Sequence, residues 1–228
     1  MQSGIDGFVN RLKQRSDSAQ VWRHPYFGGQ PTRQKLKIWL KQAGPFEARY
    51  PDYLTAMLDN PKIPDSCRKV IEENLQDELG NGDSKAAHFA LFKEALRGAE
   101  IPPDEYEQSI LHPGTARMLD QMAAVCSGED PIGALAYICQ VELFTPGEYS
   151  KITSWMKRIF PESEESWMPY FAVHVTCDEH HFVEMAQALY LLCEGSDELT
   201  NSAFSWQAKG LHLDHEFYDD LHKAATSA

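Results

Sequence analysis

Apolar residues recur at intervals of three and four along nearly the whole chain, the spacing that gives an α-helix one buried stripe. With their stop signals, these stripes predict helices near 4–18, 32–58, 65–79, 84–99, 113–127, 131–145, 147–160, 167–194 and 197–224. The second is expected to break at Gly44-Pro45, because proline lacks the helical N–H and crowds the preceding turn. Gly80-Asn81-Gly82 separates the third and fourth, with Asp83 or Ser84 as the N-cap. His112-Pro113-Gly114 and Asp130-Pro131 open others, Pro161 closes one, and Gly195-Ser196 ends the eighth. No segment alternates with period two for long enough to read as a strand. The pattern predicts one all-α domain of seven to nine helices joined by loops of a few residues.

Some positions in the apolar stripes are not apolar. In FAVHVTCDEHHFVEMAQALYLL, His174, Asp178 and His181 are offset by four and seven residues, which puts them within about 60° of one another on a helix. They share that side with Phe171, Met185, Leu189 and Leu192, so they point toward a core. Imidazole and carboxylate groups buried without partners are costly, and a metal ion is the economical remedy. Other acids and histidines fall on apolar faces too. Glu142 sits with Leu135, Ile138 and Cys139, after eleven residues without a charge. Glu78 shares a face with Cys67, Ile71, Asn74 and Leu75, while Asp77 points roughly 100° away. His88 lies with Leu91, Phe92 and Ala95. Glu47 falls with Leu40, Ala43, Tyr50 and Leu54, although the break expected at Gly44-Pro45 leaves its phase open. The spacing of the first triplet recurs at His215, Asp219 and His222. There it lies opposite the stripe of Leu213, Phe217, Leu221 and Ala224, toward solvent, and His180 likewise points away from the His174 side.

Composition narrows the chemistry. With 34 acidic and 21 basic residues the net charge is −13, which disfavours nucleic acid and anionic membrane as partners. The five cysteines form no C-x-x-C pair and are odd in number, as expected of reduced thiols in a cytoplasmic protein. The N-terminus has no apolar signal region, and no stretch has membrane-spanning length without charge. Glu78, His88, Glu142, His174, Asp178 and His181 supply three carboxylates and three imidazoles, more than one tetrahedral zinc requires. Mixed N/O ligation suits iron or manganese, and six side chains suffice for two ions that share a bridging carboxylate and keep positions open for dioxygen or substrate.

These residues also carry a resemblance. NLQDELG with Glu78, His88 on the next helix, Glu142 followed by Pro146, the His174-Asp178-His181 spacing and the early HPYF segment at His24–Phe27 resemble the haem-oxygenase-like di-iron oxidases. These are relatives of the thiaminase-II and pyrroloquinoline-quinone-synthase fold, and the likeness runs over residues 20–222. It implies a haem-oxygenase-like seven-helix bundle around two Fe(II) ions, or an iron–manganese pair, that react with O2. Glu142 would bridge, Glu78 and His88 would complete one ion, and His174, Asp178 and His181 would serve mainly the other, with Glu47 as a further carboxylate. The implied activity is oxidation or oxygenation of a small carboxylate-bearing substrate, foremost an amino acid or derivative. Such a substrate calls for a basic clamp, for which helix position offers Arg49, Lys93, Lys151 and Arg158, with Tyr50 facing the same pocket. An external electron donor and a homodimer are the implied partners. Alternatives on the same fold are a fatty-acid oxidative decarboxylase and a para-aminobenzoate-forming relative, near whose functional positions Tyr26 and Lys151 fall. The lengthened 80–83 turn and the absence of tyrosines in 41–46 count against the latter. A metal-free thiaminase-like hydrolase would need Cys139 or Cys177 as nucleophile.

Overall fold

Helix starts follow capping chemistry. Thr32 accepts from the backbone N–H of Lys35, Asp130 from Ile132 and Ser196 from Leu199, each meeting a first-turn donor that has no partner within the helix. In the computed structural model, described over residues 2–227, these caps open three of nine helices. The helices are α1 Gln2–Ala19, α2 Arg33–Asp59, α3 Asp65–Glu78, α4 His88–Gly98, α5 Pro103–Glu107, α6 Pro113–Cys126, α7 Pro131–Ile159, α8 Glu164–Cys193 and α9 Asp197–Thr226. Short 3-10 turns at Val21–Arg23, Pro25–Phe27 and Pro161–Ser163 complete the described residues, which include no strand.

Three features differ from the pattern-based expectation. First, α2 runs unbroken through Pro45 and Pro51, and the two helices expected on either side of Pro146 are one, α7. Each proline forfeits a backbone bond, which in an isolated helix costs about 3 kcal/mol. Burial of Leu40, Ala43, Tyr50 and Leu54 in α2, and of Phe144 and Tyr149 in α7, offsets that cost. The bonds forfeited by Pro51 and Pro146 would have ended on the carbonyls of Glu47 and Glu142, four residues earlier. Second, α4 begins at His88 rather than Ser84, and neither Asp83 nor Ser84 is its N-cap; Ala87 holds that position. Gly80, Asn81 and Gly82 all have positive φ, and Asp83 accepts from the N–H of Lys85, so residues 80–87 form a tight turned link. Third, a one-turn helix, α5, forms between the fourth and fifth predicted helices, where the pattern predicts only a connecting loop.

α7 is the centre of the molecule. Every residue from Ile132 to Gln140 is buried, which explains the uncharged run there. Its most extensive packing is against α8. Around this pair the buried apolar residues divide into two cores stacked along the helices. One takes Tyr50–Met57 positions of α2, 132–139 of α7 and 182–193 of α8. The other takes 36–43 of α2, 144–156 of α7 and 167–171 of α8. The intervals left between them contain Glu47, Glu142, His174, Asp178 and His181. A polar layer is thus held between two apolar ones.

The link from α3 to α4 positions Glu78 and His88 and depends on Gly80. Its φ is 81°, and a Cβ there would stand 2.3 Å from the Asp83 carbonyl oxygen and 2.5 Å from the Ala87 nitrogen. Gly80→Ala should therefore lower stability by about 1–3 kcal/mol, read from urea unfolding followed by circular dichroism. An unchanged midpoint would show that the link is not constrained in this way.

Candidate metal centre

Five helices deliver the polar layer. α2 brings Glu47, α3 Glu78, α4 His88, α7 Glu142, and α8 His174, Asp178 and His181, none more than 5% exposed. Apart from Glu47, which joins neither, their donor atoms gather in two triads, Glu78–His88–His174 and Glu142–Asp178–His181, each with one ligand atom per residue within 4.8 Å of the others. This division differs from the one the resemblance implies, because His174 joins Glu78 and His88. The reason is the rise of α8: seven residues separate His174 from His181 by about 10 Å along the axis. α4 meets α8 at the first position, where the His88 and His174 rings are 4.5 Å apart. Glu142 of α7 meets it at the second.

Hydrogen bonds outside the layer fix which atoms face inward. His174 donates from Nδ1 to the Tyr170 carbonyl at 2.8 Å, so its Nε2 carries the lone pair, 3.6 Å from Glu47 Oε2. His181 donates from Nε2 to Asp77 Oδ2 at 2.9 Å, leaving Nδ1 without a partner, 3.6 Å from Glu142 Oε2. An outward N–H held by a carbonyl or carboxylate is how metal-binding histidines are oriented. Asp77 is therefore a positioning residue. Burial opposes its ionisation, but the Asn81 amide and the His181 ring outweigh that and hold the carboxyl below its usual range. Glu142 is oriented in the same manner: Tyr50 and Asn74 both donate to its Oε1, at 2.5 and 2.6 Å, which leaves Oε2 for the triad. Glu47 Oε1 accepts from Tyr149 at 2.6 Å, and Tyr149 is in turn 2.7 Å from Tyr170. His88 Nδ1 lies 2.9 Å from Glu78 Oε1 but makes no hydrogen bond, so the two groups approach without satisfying each other.

The electrostatics tell the same story. Burial raises the carboxyls of Glu78 and Asp178, the latter well above its ordinary value with Glu142 as the next cause. Burial and then the Glu78 charge push Glu47 up to about 7. Burial and the neighbouring His88 push His174 down to about 3. Burial works against charge on His181 too, but Glu142 and Asp77 prevail and hold it up at about 9. Four carboxylates in one dry layer call for positive charge. Two divalent cations would supply four units of it. Glu78 with His88 and His174 is a two-histidine, one-carboxylate set, the donor composition of non-haem iron sites, and neither triad includes a thiol. The residues present fit two such ions, and a cavity of about 10 Å³ touched by Glu47, Tyr50, Glu78, Glu142, His174 and Asp178 lies between them.

The remaining expectations fare differently. Tyr50 lines this cavity as a donor to Glu142. Lys151 instead holds its ammonium 5.1 Å from the Phe27 ring centre, while Arg158, Arg49 and Lys93 are exposed. Long basic side chains on these outer helix faces reach water more cheaply than a dry interior, and none lines this cavity or the larger one beside it. Tyr26 is buried and donates to the Lys35 carbonyl, and it too lines neither. Burial, then the Glu142 charge, pushes the Cys139 thiol far up, which suits an inert core residue. The second triplet forms no metal-binding group among the described residues. It does not simply face solvent: Asp219 is 3.2 Å from His24, His215 donates to the Ala19 carbonyl, and His222 packs edge-on to His24. α9 thereby clasps the segment after α1. Asp77 and Asn74 could be read from sequence only as polar residues beside Glu78; which of them faced another helix was decided by packing.

A bundle of this shape is shared by known structures. A TenA homolog from Pseudomonas syringae pv. tomato superposes with a TM-score of 0.76 at 14% identity, over 96% of this chain and 91% of that one. A CADD-like protein of unknown function from Nostoc punctiforme gives 0.79 at 11%, over 96% and 97%. A domain of unknown function with a heme oxygenase-like fold from Shewanella denitrificans gives 0.72 at 14%, over 97% and 90%. No curated protein matches in sequence. At such identities the likeness establishes the fold: this is an all-α protein of the haem-oxygenase-like class, with a buried N/O constellation at its centre. Residues 37–215 match the family described as iron-containing redox enzyme, and the chain belongs to that family. Among the described residues no helix is long and apolar enough to cross a membrane.

Two outcomes test this geometry. Asp77→Asn keeps the size of the side chain but removes the charge that holds His181, and should weaken ferrous-ion affinity by roughly 10–100-fold in anaerobic chelator competition. Unaltered affinity would remove Asp77 from the centre. For Glu47, the folded carboxyl sits near 7 instead of 4.5, so the native state keeps a proton that the unfolded chain releases. Its contribution to stability is full below pH 4.5 and is lost as pH rises through 7. Glu47→Gln should therefore stabilise the metal-free protein at pH 7.5, by roughly 3 kcal/mol at most, and change little at pH 4.5. In the metal-loaded protein the same change should lower the melting temperature.

Proposed function

We propose that this protein is an O2-dependent oxidase or oxygenase that holds two ferrous ions and acts on a small carboxylate-bearing molecule of the amino-acid class. The observation that carries the reading is the pair of adjoining triads, with inner nitrogen and oxygen atoms already freed by the outer hydrogen bonds. Membership of the iron-containing redox enzyme family supports it. When bound, paired ferrous ions supply the electrons by which dioxygen is activated toward a C–H or N–H group. The chain's own residues provide the rest. Tyr50 and Asn74 keep Glu142 turned toward the second triad, and Asp77 and the Tyr170 carbonyl do the same for His181 and His174. Tyr149 carries the proton next to Glu47 and passes hydrogen-bonding on to Tyr170. The two apolar cores exclude water from the layer, which keeps a reactive oxidant from being wasted on solvent.

An amino acid is preferred to a fatty acid because the lining of both central cavities lacks lysine and arginine. Apart from the ions themselves, a lone carboxylate would meet no cationic side chain there, whereas an amino acid brings its own ammonium. A reductant from outside the chain would renew the ferrous state, and a homodimer is the proposed assembly. The test is anaerobic loading with ferrous ion, a count of iron per chain, and rapid mixing with O2 alone and with a panel of amino and fatty acids. Two irons per chain, iron-dependent O2 uptake and a transient visible absorption accelerated by the true substrate are expected. Glu142→Ala and His174→Ala should abolish the transient. Absence of iron-dependent O2 uptake with every candidate would overturn the proposal.

A further inference from the structure

A second and larger cavity, about 60 Å³, lies between α7 and α9 and is closed by α2 and α6. Phe46, Glu47, Val141 and Thr145 line both it and the small cavity between the triads, so the two are separated by one layer of side chains. Its volume is that of roughly two waters, enough for the polar head of a ligand and the first atoms behind it. Most of its wall is hydrocarbon. Away from the shared wall at Glu47 and Thr145, its polar groups include Tyr137, Gln140 and Glu148 on α7 and Asp214 on α9.

These four groups satisfy one another only in part: the Gln140 amide pulls on the Asp214 carboxyl without closing a full hydrogen bond on it. Tyr137 and Gln140 are each 2% exposed, yet Tyr137 Oη, Gln140 Nε2 and Asp214 Oδ2 have no hydrogen-bond partner. Leaving such groups unpaired is costly, and a protein tolerates it where a ligand completes the set. The orientation of Gln140 is imposed from outside. Arg15 donates to Gln207 Oε1 at 3.2 Å, so Gln207 turns its amide nitrogen inward and donates to Gln140 Oε1 at 3.1 Å. Gln140 is left with only its Nε2 to offer. Glu148 accepts from Trp39 at 2.8 Å and from Tyr218, both on Oε1. Glu148 and Asp214, with Glu47 at the shared wall, thus set three carboxyl groups on a mostly apolar space whose lining includes no lysine or arginine. Burial pushes Glu148 up to about 7. Burial and then the Glu148 charge push Asp214 well above its ordinary range, against the pull of the Gln140 amide.

We infer that this cavity receives the ammonium group of a small aliphatic amine or amino acid, with Asp214 Oδ2 and Tyr137 Oη accepting its N–H bonds and Glu148 as the second negative charge. Gln140 Nε2 donates to an acceptor beside the nitrogen, such as the carboxylate of an amino acid. The remainder of the ligand extends toward the wall at Glu47, where the metal centre begins. This places the amino end of the substrate away from the triads and its carbon chain against them. It rests on the oxidase reading only for the statement that the bound molecule is the substrate; the binding itself stands without it.

The test compares propylamine, 1-propanol and propionate as ligands of the full-length protein, metal-free and ferrous-loaded under anaerobic conditions, by thermal shift and calorimetry. Propylamine should raise the melting temperature and bind in both forms, with the alcohol and the acid ineffective at the same concentration. Asp214→Asn, close in shape and free of charge, should weaken propylamine roughly tenfold or more, and Tyr137→Phe should weaken it less. Propionate or propanol binding as well as propylamine would overturn the inference. So would an Asp214→Asn protein, folded by circular dichroism, that retains full amine affinity. Asp214-dependent amine binding in a protein that takes up no iron would uphold the pocket and defeat the oxidase. Iron-dependent O2 uptake stimulated by propionate but not by amines would do the reverse.

Discussion

Seven ionisable side chains occupy one layer inside a helical bundle, and the rest of the structure is arranged to make that tolerable. Four carboxylates and three imidazoles cannot be desolvated together at neutral pH without opposing charge. The layer meets this in two ways. Outer groups such as Tyr50, Asn74, Asp77, Tyr149 and the Tyr170 carbonyl take the hydrogen bonds that can be satisfied within the protein. What they leave are inward lone pairs that only cations can satisfy together. An iron-containing redox enzyme needs that arrangement, because ligands already aimed and dry require little reorganisation when the ions arrive.

The apolar cores above and below make the layer affordable. The long helices α2, α7 and α8 each contribute to one core, then to the layer, then to the other core, so the layer is shut off from water at both ends. The buried run of α7 is the clearest case. Its one side presents Glu142 to α8, and another presents Tyr137, Gln140 and Glu148 to α9. The metal centre and the neighbouring cavity are therefore built on opposite sides of one rigid element, and the distance between them is set by the backbone rather than by a mobile loop.

Much of the centre was legible in the sequence because a charged residue on an apolar stripe contradicts its surroundings. Helical phase singled out Glu78, His88, Glu142, His174, Asp178 and His181, and the same reasoning set aside the second triplet. Phase has limits, however. It said that His215 and His222 lay away from their own helix's stripe, but not that the segment around His24 would cover that face. It left Glu47 open because proline was expected to end the helix before it; buried flanks carried the helix through. It placed Asp77 outside the stripe without revealing that His181 of another helix would reach it.

The sequence by itself determined the all-α character, the positions of most helices and the set of polar residues that had to point inward. These follow from local periodicity and from the cost of burying charge, both of which act within one helix at a time. Only the tertiary structure decided which ligands share a triad, which nitrogen of each histidine faces inward, and that Asp214 and Glu148 border one cavity. Those facts depend on how far along its axis each helix meets the next and on contacts between residues distant in the chain. No periodicity within a single helix encodes that crossing.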